Sequence, residues 1–148
     1  MQSGSLAIAN PLSAEMAVMR TSLLPGLVET LKNNSARQQT RLRLFEFGRV
    51  FVNQDASPPI ERQSFSAVFC GNAMPELWSG KSAPVDFYDI KAVLDSALLR
   101  VGFKATYAPS NKAYLHPGRS ADVIVDGKSV GVIGALHPGL NNTLDLPA

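Results

Sequence analysis

The chain has 148 residues, of which 45% are hydrophobic and 18% charged, so it can bury the core of a globular domain, and the composition favours a folded chain over a disordered one. Its formal net charge of +2 provides no large field for neutralising phosphates, and its single cysteine excludes an intrachain disulfide and a cysteine-rich zinc site. No apolar stretch reaches the ~20 residues of a membrane span and no signal-peptide pattern opens the chain, so we predict a cytoplasmic protein with no membrane partner.

The first predicted element is a short helix. Its apolar residues recur at the spacing of one helical stripe, namely Leu23, Leu24, Leu27, Val28 and Leu31. Thr21 or Ser22 can cap its N-terminus, and Pro25 falls in the first turn, where a missing N–H breaks no helical bond. Asn33 and the polar run that follows it end the helix. The stripe packs either on the domain's own sheet or on another subunit, and the pattern leaves both alternatives open.

The next segment, RLRLFEFGRVFV at 41–52, has the aromatic and β-branched content of a strand. Alternation places Phe45, Phe47 and Phe51 on one face and aliphatic residues on the other. Because both faces are apolar, we predict a central strand. Glu46 shares the aliphatic face, and we interpret it as a structural carboxylate paired with a nearby arginine, with a substrate contact as the alternative.

A basic segment overlaps these two elements. Between positions 32 and 49 the chain carries five cations and one carboxylate, Glu46; the cations are Lys32, Arg37, Arg41, Arg43 and Arg49. We interpret the segment as a solvated loop and strand edge, with nucleic-acid contact as the alternative.

A proline-containing loop at 52–63 precedes a second predicted strand, Ser64 to Cys70, and the short connection favours an antiparallel pair. Cys70 lies in an apolar run and is interpreted as a buried small hydrophobic residue. A longer helix follows at 85–102, with Asp86 as N-cap and Gly102 as C-terminal cap. Its predicted core stripe consists of Phe87, Ile90, Val93, Leu94, Ala97, Leu98 and Val101.

The tetrapeptide Leu-His-Pro-Gly occurs at 115–118 and again at 136–139, and the two copies hold both histidines of the chain. Between them, Asp126-Gly127 predicts a two-residue hairpin turn that joins strands Ala121–Val125 and Lys128–Ile133. The hairpin should bring the two copies close together.

Two histidines are too few ligands for a zinc site, and no nucleophile turn, phosphate-binding loop or dinucleotide fingerprint is present. We therefore interpret both copies as structural turns, formed by His116, Pro117, Gly118, His137 and Pro138, because proline fixes φ and glycine permits reversal. The alternative is a small autonomous hydrolase or metal-binding domain that uses His116 and His137.

Four stretches carry a family resemblance, in order along the chain. They are NPLSAEMAVMRTSLLPGLVETLKNNSARQ at 10–38, LFEFGRVF at 44–51, VDFYDIKAVLDSALLRVG at 85–102 and LHPGRSADVIVDGKSVGVIGALHPGLNNTLDL at 115–146. Together they cover most of the chain and resemble the C-terminal half of bacterial phenylalanyl-tRNA synthetase beta chains.

The resemblance implies an α+β fold of the class II aminoacyl-tRNA synthetase type, with a largely antiparallel sheet flanked by helices and no catalytic site. The class II ATP-binding motif Phe-Arg-x-Glu has no correctly spaced counterpart at 43–46. In the family, the alpha chain activates phenylalanine with ATP and charges the tRNA, whereas this part of the beta chain supports assembly. The fragment is thus expected to be inactive alone and to hold no cofactor, while the whole complex uses ATP and magnesium.

The expected partners are the alpha chain and, through the whole complex, phenylalanine tRNA, in a heterotetramer of two alpha and two beta chains. The resemblance also implies that the first helix corresponds to the class II first-motif helix, which packs between subunits. The candidate subunit interface is Met19, Arg20, Leu23, Leu24, Leu27 and Leu31. We expect one core domain over 1–148 that lacks a final strand and the downstream anticodon-stem-binding domain.

Overall fold

The computed structural model describes residues 6–13, 17–52, 59–75, 78 and 83–146, and within them the chain forms three α-helices and five β-strands. In chain order they are α1 (Leu24–Ser35), β1 (Leu42–Val52), β2 (Ile60–Cys70), α2 (Phe87–Arg100), β3 (Ala105–Pro109), β4 (Leu115–Val125), β5 (Lys128–Leu136) and α3 (Pro138–Leu144). The predicted α+β class is confirmed. The chain divides into two compact units, one within 1–34 and 43–68 and the other within 35–42 and 69–148; the predicted single core domain stays a prediction.

Helix α1 belongs to the first unit and forms as its sequence predicts. The Leu24 N–H donates to the Ser22 hydroxyl at 3.2 Å, which satisfies one of the free donors at the helix start. Leu23, Leu27 and Leu31 are only 2%, 5% and 6% exposed, so this side of the stripe is packed within the chain itself. Their burial anchors α1, because an isolated 12-residue helix is marginal in water.

Strands β1 and β2 form a two-stranded sheet. The pair is antiparallel because residues 53–59 are too few for a parallel crossover. β2 begins at Ile60 rather than at Ser64. The prediction of a central position for β1 is wrong within the described residues, since the sheet gives β1 one neighbour. Residues 53–58 of the predicted loop lie outside the described part of the chain.

The segment before α1 is tied to β1 by backbone hydrogen bonds. Residues 6–8 and 17–19 form a short antiparallel bridge, in which the Met19 N–H donates to the Leu6 carbonyl at 2.7 Å. The Phe51 N–H of β1 then donates to the Arg20 carbonyl at 2.9 Å. The side chain of Arg20 is thereby held beside β1.

Helix α2 is the first helix of the stretch 69–148, the larger of the two stretches that make up the second unit. Asp86 caps it by accepting from the backbone N–H groups of Tyr88 and Asp89, and the Asp89 carboxylate in turn accepts from the Asp86 N–H. Gly102 follows the helix with a φ of +84°, as predicted. The predicted stripe is only partly covered: no residue of α2 is fully buried, and Val93, Ala97 and Val101 are exposed. Among the helices that the structure describes, none is long and apolar enough to cross a membrane.

The sheet of the second unit has the order β3-β4-β5 and is antiparallel throughout. The predicted hairpin turn is confirmed, because Asp126 and Gly127 both have positive φ, at 49° and 73°. The strands on either side are longer than predicted, at Leu115–Val125 and Lys128–Leu136. Alternate β4 residues Ala121, Val123 and Val125 are buried and form much of this unit's core.

Candidate functional site

The two Leu-His-Pro-Gly copies meet in the second unit. Leu115 and Leu136, the first residue of each copy, are direct partners across β4 and β5. The His137 N–H also donates to the carbonyl of Tyr114 at 2.9 Å. The proximity that the hairpin predicted is therefore present.

Both histidines make the same local contact. The Gly118 N–H donates to Nδ1 of His116 at 3.0 Å, and the Gly139 N–H donates to Nδ1 of His137 at 3.1 Å. In each copy the intervening proline, Pro117 or Pro138, fixes its own φ and so favours the hydrogen bond between the glycine N–H and the histidine two residues earlier. Because Nδ1 accepts, the proton of each neutral imidazole is assigned to Nε2. One ring nitrogen of each histidine is thus occupied by a hydrogen bond to the nearby backbone.

The two copies nevertheless sit in different structures. His116, Pro117 and Gly118 lie inside β4, where the register shifts between Leu115 and Ser120, and not in a turn outside the hairpin strands. The structure differs from the prediction here because pairing continues beyond the irregularity, up to the Leu115–Leu136 pair. His137, in contrast, is the N-cap of α3, and Pro138 occupies its first turn.

A close backbone approach fixes the irregularity in β4. A Cβ added to Gly134 of β5 would lie 2.7 Å from the Ser120 Cβ and 2.8 Å from the Arg119 carbonyl oxygen. Glycine is therefore required for β5 to approach the irregular part of β4. In residues 6–13, 17–52, 59–75, 78 and 83–146, no group of three or more His, Cys, Asp or Glu residues could hold a metal ion.

A second polar cluster lies in the first unit around Arg20. Its guanidinium pairs with the Glu46 carboxylate and donates from Nε to the Arg49 carbonyl at 2.8 Å. This pairing confirms the predicted arginine partner of Glu46. A Cβ on Gly48 would lie 2.5 Å from Arg20 Nη2, so the missing side chain makes room for the guanidinium. Both charged groups are partly exposed, and a pair of this kind contributes up to about 1 kcal/mol.

The six residues of the candidate subunit interface occupy three kinds of position. Leu23, Leu27 and Leu31 are buried within the chain, Met19 and Leu24 are half-buried, and Arg20 is exposed and paired with Glu46. The buried leucines have little surface left to offer another subunit. The interface stays a prediction, and Met19 and Leu24 are its partly accessible apolar members.

Comparison with known proteins identifies the family. The family model of the phenylalanyl tRNA synthetase beta chain CLM domain matches residues 1–148. This chain belongs to that family. It is 45% identical over 148 residues to the phenylalanine-tRNA ligase beta subunit of Xylella fastidiosa, 46% over 145 residues to that of Xanthomonas oryzae pv. oryzae and 42% over 144 residues to that of Acinetobacter baylyi.

These alignments cover 99%, 97% and 95% of the chain but only 19%, 18% and 18% of the respective relatives. The chain thus spans about a fifth of the length of the curated relatives that it matches. This family membership confirms the resemblance to phenylalanyl-tRNA synthetase beta chains. Nothing supports the alternative of a small hydrolase or metal-binding domain.

One polar cluster of this CLM-family chain was not predicted from its sequence. Tyr107 on β3 donates its hydroxyl to Asp95 Oδ1 at 2.6 Å, and Lys91 donates to Asp95 Oδ2 at 2.7 Å. Hydrogen bonds from Lys91 and Tyr107 lower the pKa of Asp95, whereas burial and the bond to Asp95 raise the pKa of Tyr107 above its ordinary range. The Lys91 ammonium also lies 4.5 Å from the centre of the Tyr107 ring. The i, i+4 spacing of Lys91 and Asp95 was readable, but the tyrosine comes from a strand that was not predicted.

Proposed function

We propose that this chain is an architectural part of the beta subunit of phenylalanine-tRNA ligase. In this role it supports assembly with an alpha subunit and carries no catalytic site, and its core has the class II synthetase fold. The complex, a heterotetramer of two alpha and two beta chains in the cytoplasm, attaches phenylalanine to its tRNA with ATP and magnesium. The observation that carries the proposal is the match of the CLM family model to residues 1–148.

The engagement of the polar side chains supports an architectural role. Nδ1 of His116 and of His137 each accept a backbone N–H, the Asp95 carboxylate accepts from both Lys91 and Tyr107, and Cys70 is buried. A thiol that acts as a nucleophile needs exposed, electropositive surroundings, which a buried cysteine lacks. Replacing these residues should therefore change stability more than chemistry.

For the contact with the alpha subunit, we propose two residues at the start of α1: Met19, in the segment before the helix, and Leu24, its first residue. Both side chains are half-buried, so each presents apolar surface while its position is set by the chain. Leu23 and Leu27, packed on the inner side, hold the helix in place. A rigid apolar surface of this kind suits a permanent subunit interface, because such interfaces resemble a domain core cut in half.

The test is a Met19→Asp/Leu24→Asp double variant of the full-length beta subunit, co-expressed with the alpha subunit. Burying two unpaired carboxylates in an apolar interface is costly, so the variant should lose co-purification and aminoacylation together. Its unfolding midpoint should stay near that of the unmodified beta subunit. Glu29→Lys, at an exposed position of the same helix, is the matched control and should assemble normally. A double variant that co-purifies and charges tRNA like the wild type contradicts the proposed contact.

A further inference from the structure

The outer face of the β1–β2 sheet in the first unit carries three exposed aromatic side chains. Phe45, Phe47 and Phe65 are 73%, 68% and 60% exposed. Phe45 and Phe65 lie across the two strands from each other, with ring centroids 6.1 Å apart and planes inclined by 30°. Taking ~200 Å² for a phenylalanine side chain, the three expose about 400 Å². We call these three residues the phenylalanine face.

Three neighbouring exposed phenylalanines are unusual on a protein surface that faces solvent. Phenylalanine is among the residue types most often buried, and the largest apolar patch on a monomer is about 300–600 Å² and often functional. A strand that is apolar on both faces is typical of a sheet covered on both faces. In β1, one face is covered, since Leu42 and Val50 are buried, whereas the phenylalanine face is open. The sequence of β1 therefore indicates a second covering layer.

Charge helps to identify what covers the face. Exposed aromatic rings next to free arginines are typical of platforms that stack nucleic-acid bases. Here the Arg49 guanidinium at the edge of the face is held by the Glu61 carboxylate, with Nη1 2.9 Å from Oε2. A phosphate that bound Arg49 would have to compete with this carboxylate. An apolar polypeptide surface fits this face better than a nucleic acid.

We propose that the phenylalanine face is the docking surface for an apolar segment of the same beta-subunit polypeptide, from outside these 148 residues. The matched relatives have about four fifths of their length outside the aligned part, so covalently tethered chain is available. A tethered segment competes at an effective concentration in the millimolar range, which favours it over a separate molecule. The docked segment meets the three rings with apolar side chains and places polar groups at the Arg49–Glu61 edge.

The inference rests on the proposed membership in a full-length beta subunit, but not on the contact of α1 with the alpha subunit. The experiment places para-azidophenylalanine at position 47 or, separately, at position 65 of the full-length beta subunit in the alpha–beta complex. After illumination with tRNA present, mass spectrometry identifies the crosslinked peptides. We expect both positions to crosslink to one region of the beta subunit outside the 148 residues.

Crosslinks to the alpha subunit, crosslinks to tRNA, or no crosslinks at all would overturn the inference. A crosslink to the alpha subunit would leave the proposed function standing, so the two failures are distinguishable. Hydroxyl-radical footprinting of the unsubstituted proteins needs no variant. Oxidation of Phe45, Phe47 and Phe65 in the 148-residue chain should be lost in the full-length complex, and retained oxidation would contradict a covered face.

Discussion

Replacing Gly71 by alanine tests how tightly the second unit is closed where β2 ends. Gly71 has a φ of +80°, and an added Cβ would lie 1.9 Å from the Thr40 carbonyl oxygen and 3.1 Å from the Arg41 Cα. The backbone has little freedom to retreat. The Val85 N–H donates to the Gly71 carbonyl at 2.9 Å, and the Arg41 guanidinium donates to the carbonyls of Asn72 and Ala73 at 3.2 and 3.1 Å.

Two effects add in the Gly71→Ala variant. The left-handed backbone costs a non-glycine residue about 1–2 kcal/mol, and relieving an overlap with fixed backbone atoms adds about 2–3 kcal/mol more. The total of about 3–5 kcal/mol is a large part of the 5–15 kcal/mol that stabilises a typical domain. The measurement is urea unfolding of the 148-residue chain followed by far-ultraviolet circular dichroism.

Two glycines provide matched controls. Gly102 has a φ of +84° but nothing within 4 Å of an added Cβ, so Gly102→Ala should lose only the backbone term of about 1–2 kcal/mol. Gly131, in β5, has neither positive φ nor a close neighbour, and Gly131→Ala should be neutral or slightly stabilising. Equal losses in Gly71→Ala and Gly102→Ala would refute the steric reasoning.

Three further outcomes are expected from the structure. Leu27→Ala should lower the free energy of unfolding by about 2–5 kcal/mol because Leu27 is buried, whereas Glu29→Ala on the exposed side should change it little in the same urea titration. The free energy of unfolding measured against pH should fall in acid, because the pKa of Asp95 is lowered from 3.8 and its contribution, limited by exposure to about 1 kcal/mol, is lost as the pH drops through the folded value. It should also fall as the pH rises above 10.0, because the pKa values of Tyr107 and Tyr114 are both raised, and Tyr107→Phe should reduce this alkaline loss. His137→Ala should speed amide exchange at Gly139 in NMR spectra, whereas His137→Asn, whose side chain can also accept, should restore protection; equal exchange in both variants would contradict the cap.

The elements with their own local signals could be predicted from the sequence. A leucine stripe predicted helix α1, and Asp86 and Gly102 predicted the two ends of α2. The hairpin followed from Asp126-Gly127, since each residue has the positive φ that this turn requires. In each case the residues that decide the structure are neighbours in the chain, so a local pattern contains the information.

The parts that were missed or wrong depend on contacts between distant segments. Strand β3 has five residues and α3 seven, too few to show a period, and they exist through pairing with β4 and through the cap at His137. The central position predicted for β1 assumed that an apolar face is covered by the same chain, yet the phenylalanine face is open in the described residues. The periodicity of apolar residues shows which face of a strand is to be buried, but not which element or chain buries it.

Aminoacylation turnover per assembled complex shows whether this chain contributes to assembly alone or also to the chemistry. Full-length beta subunits carrying His116→Ala, His137→Ala or Cys70→Ser are assembled with the alpha subunit, and active-site titration gives the concentration of complex. We expect a kcat within about twofold of the wild type for each variant, whatever its yield. A fall of about a hundredfold or more at unchanged assembly, the scale of a lost general acid or base, would contradict it.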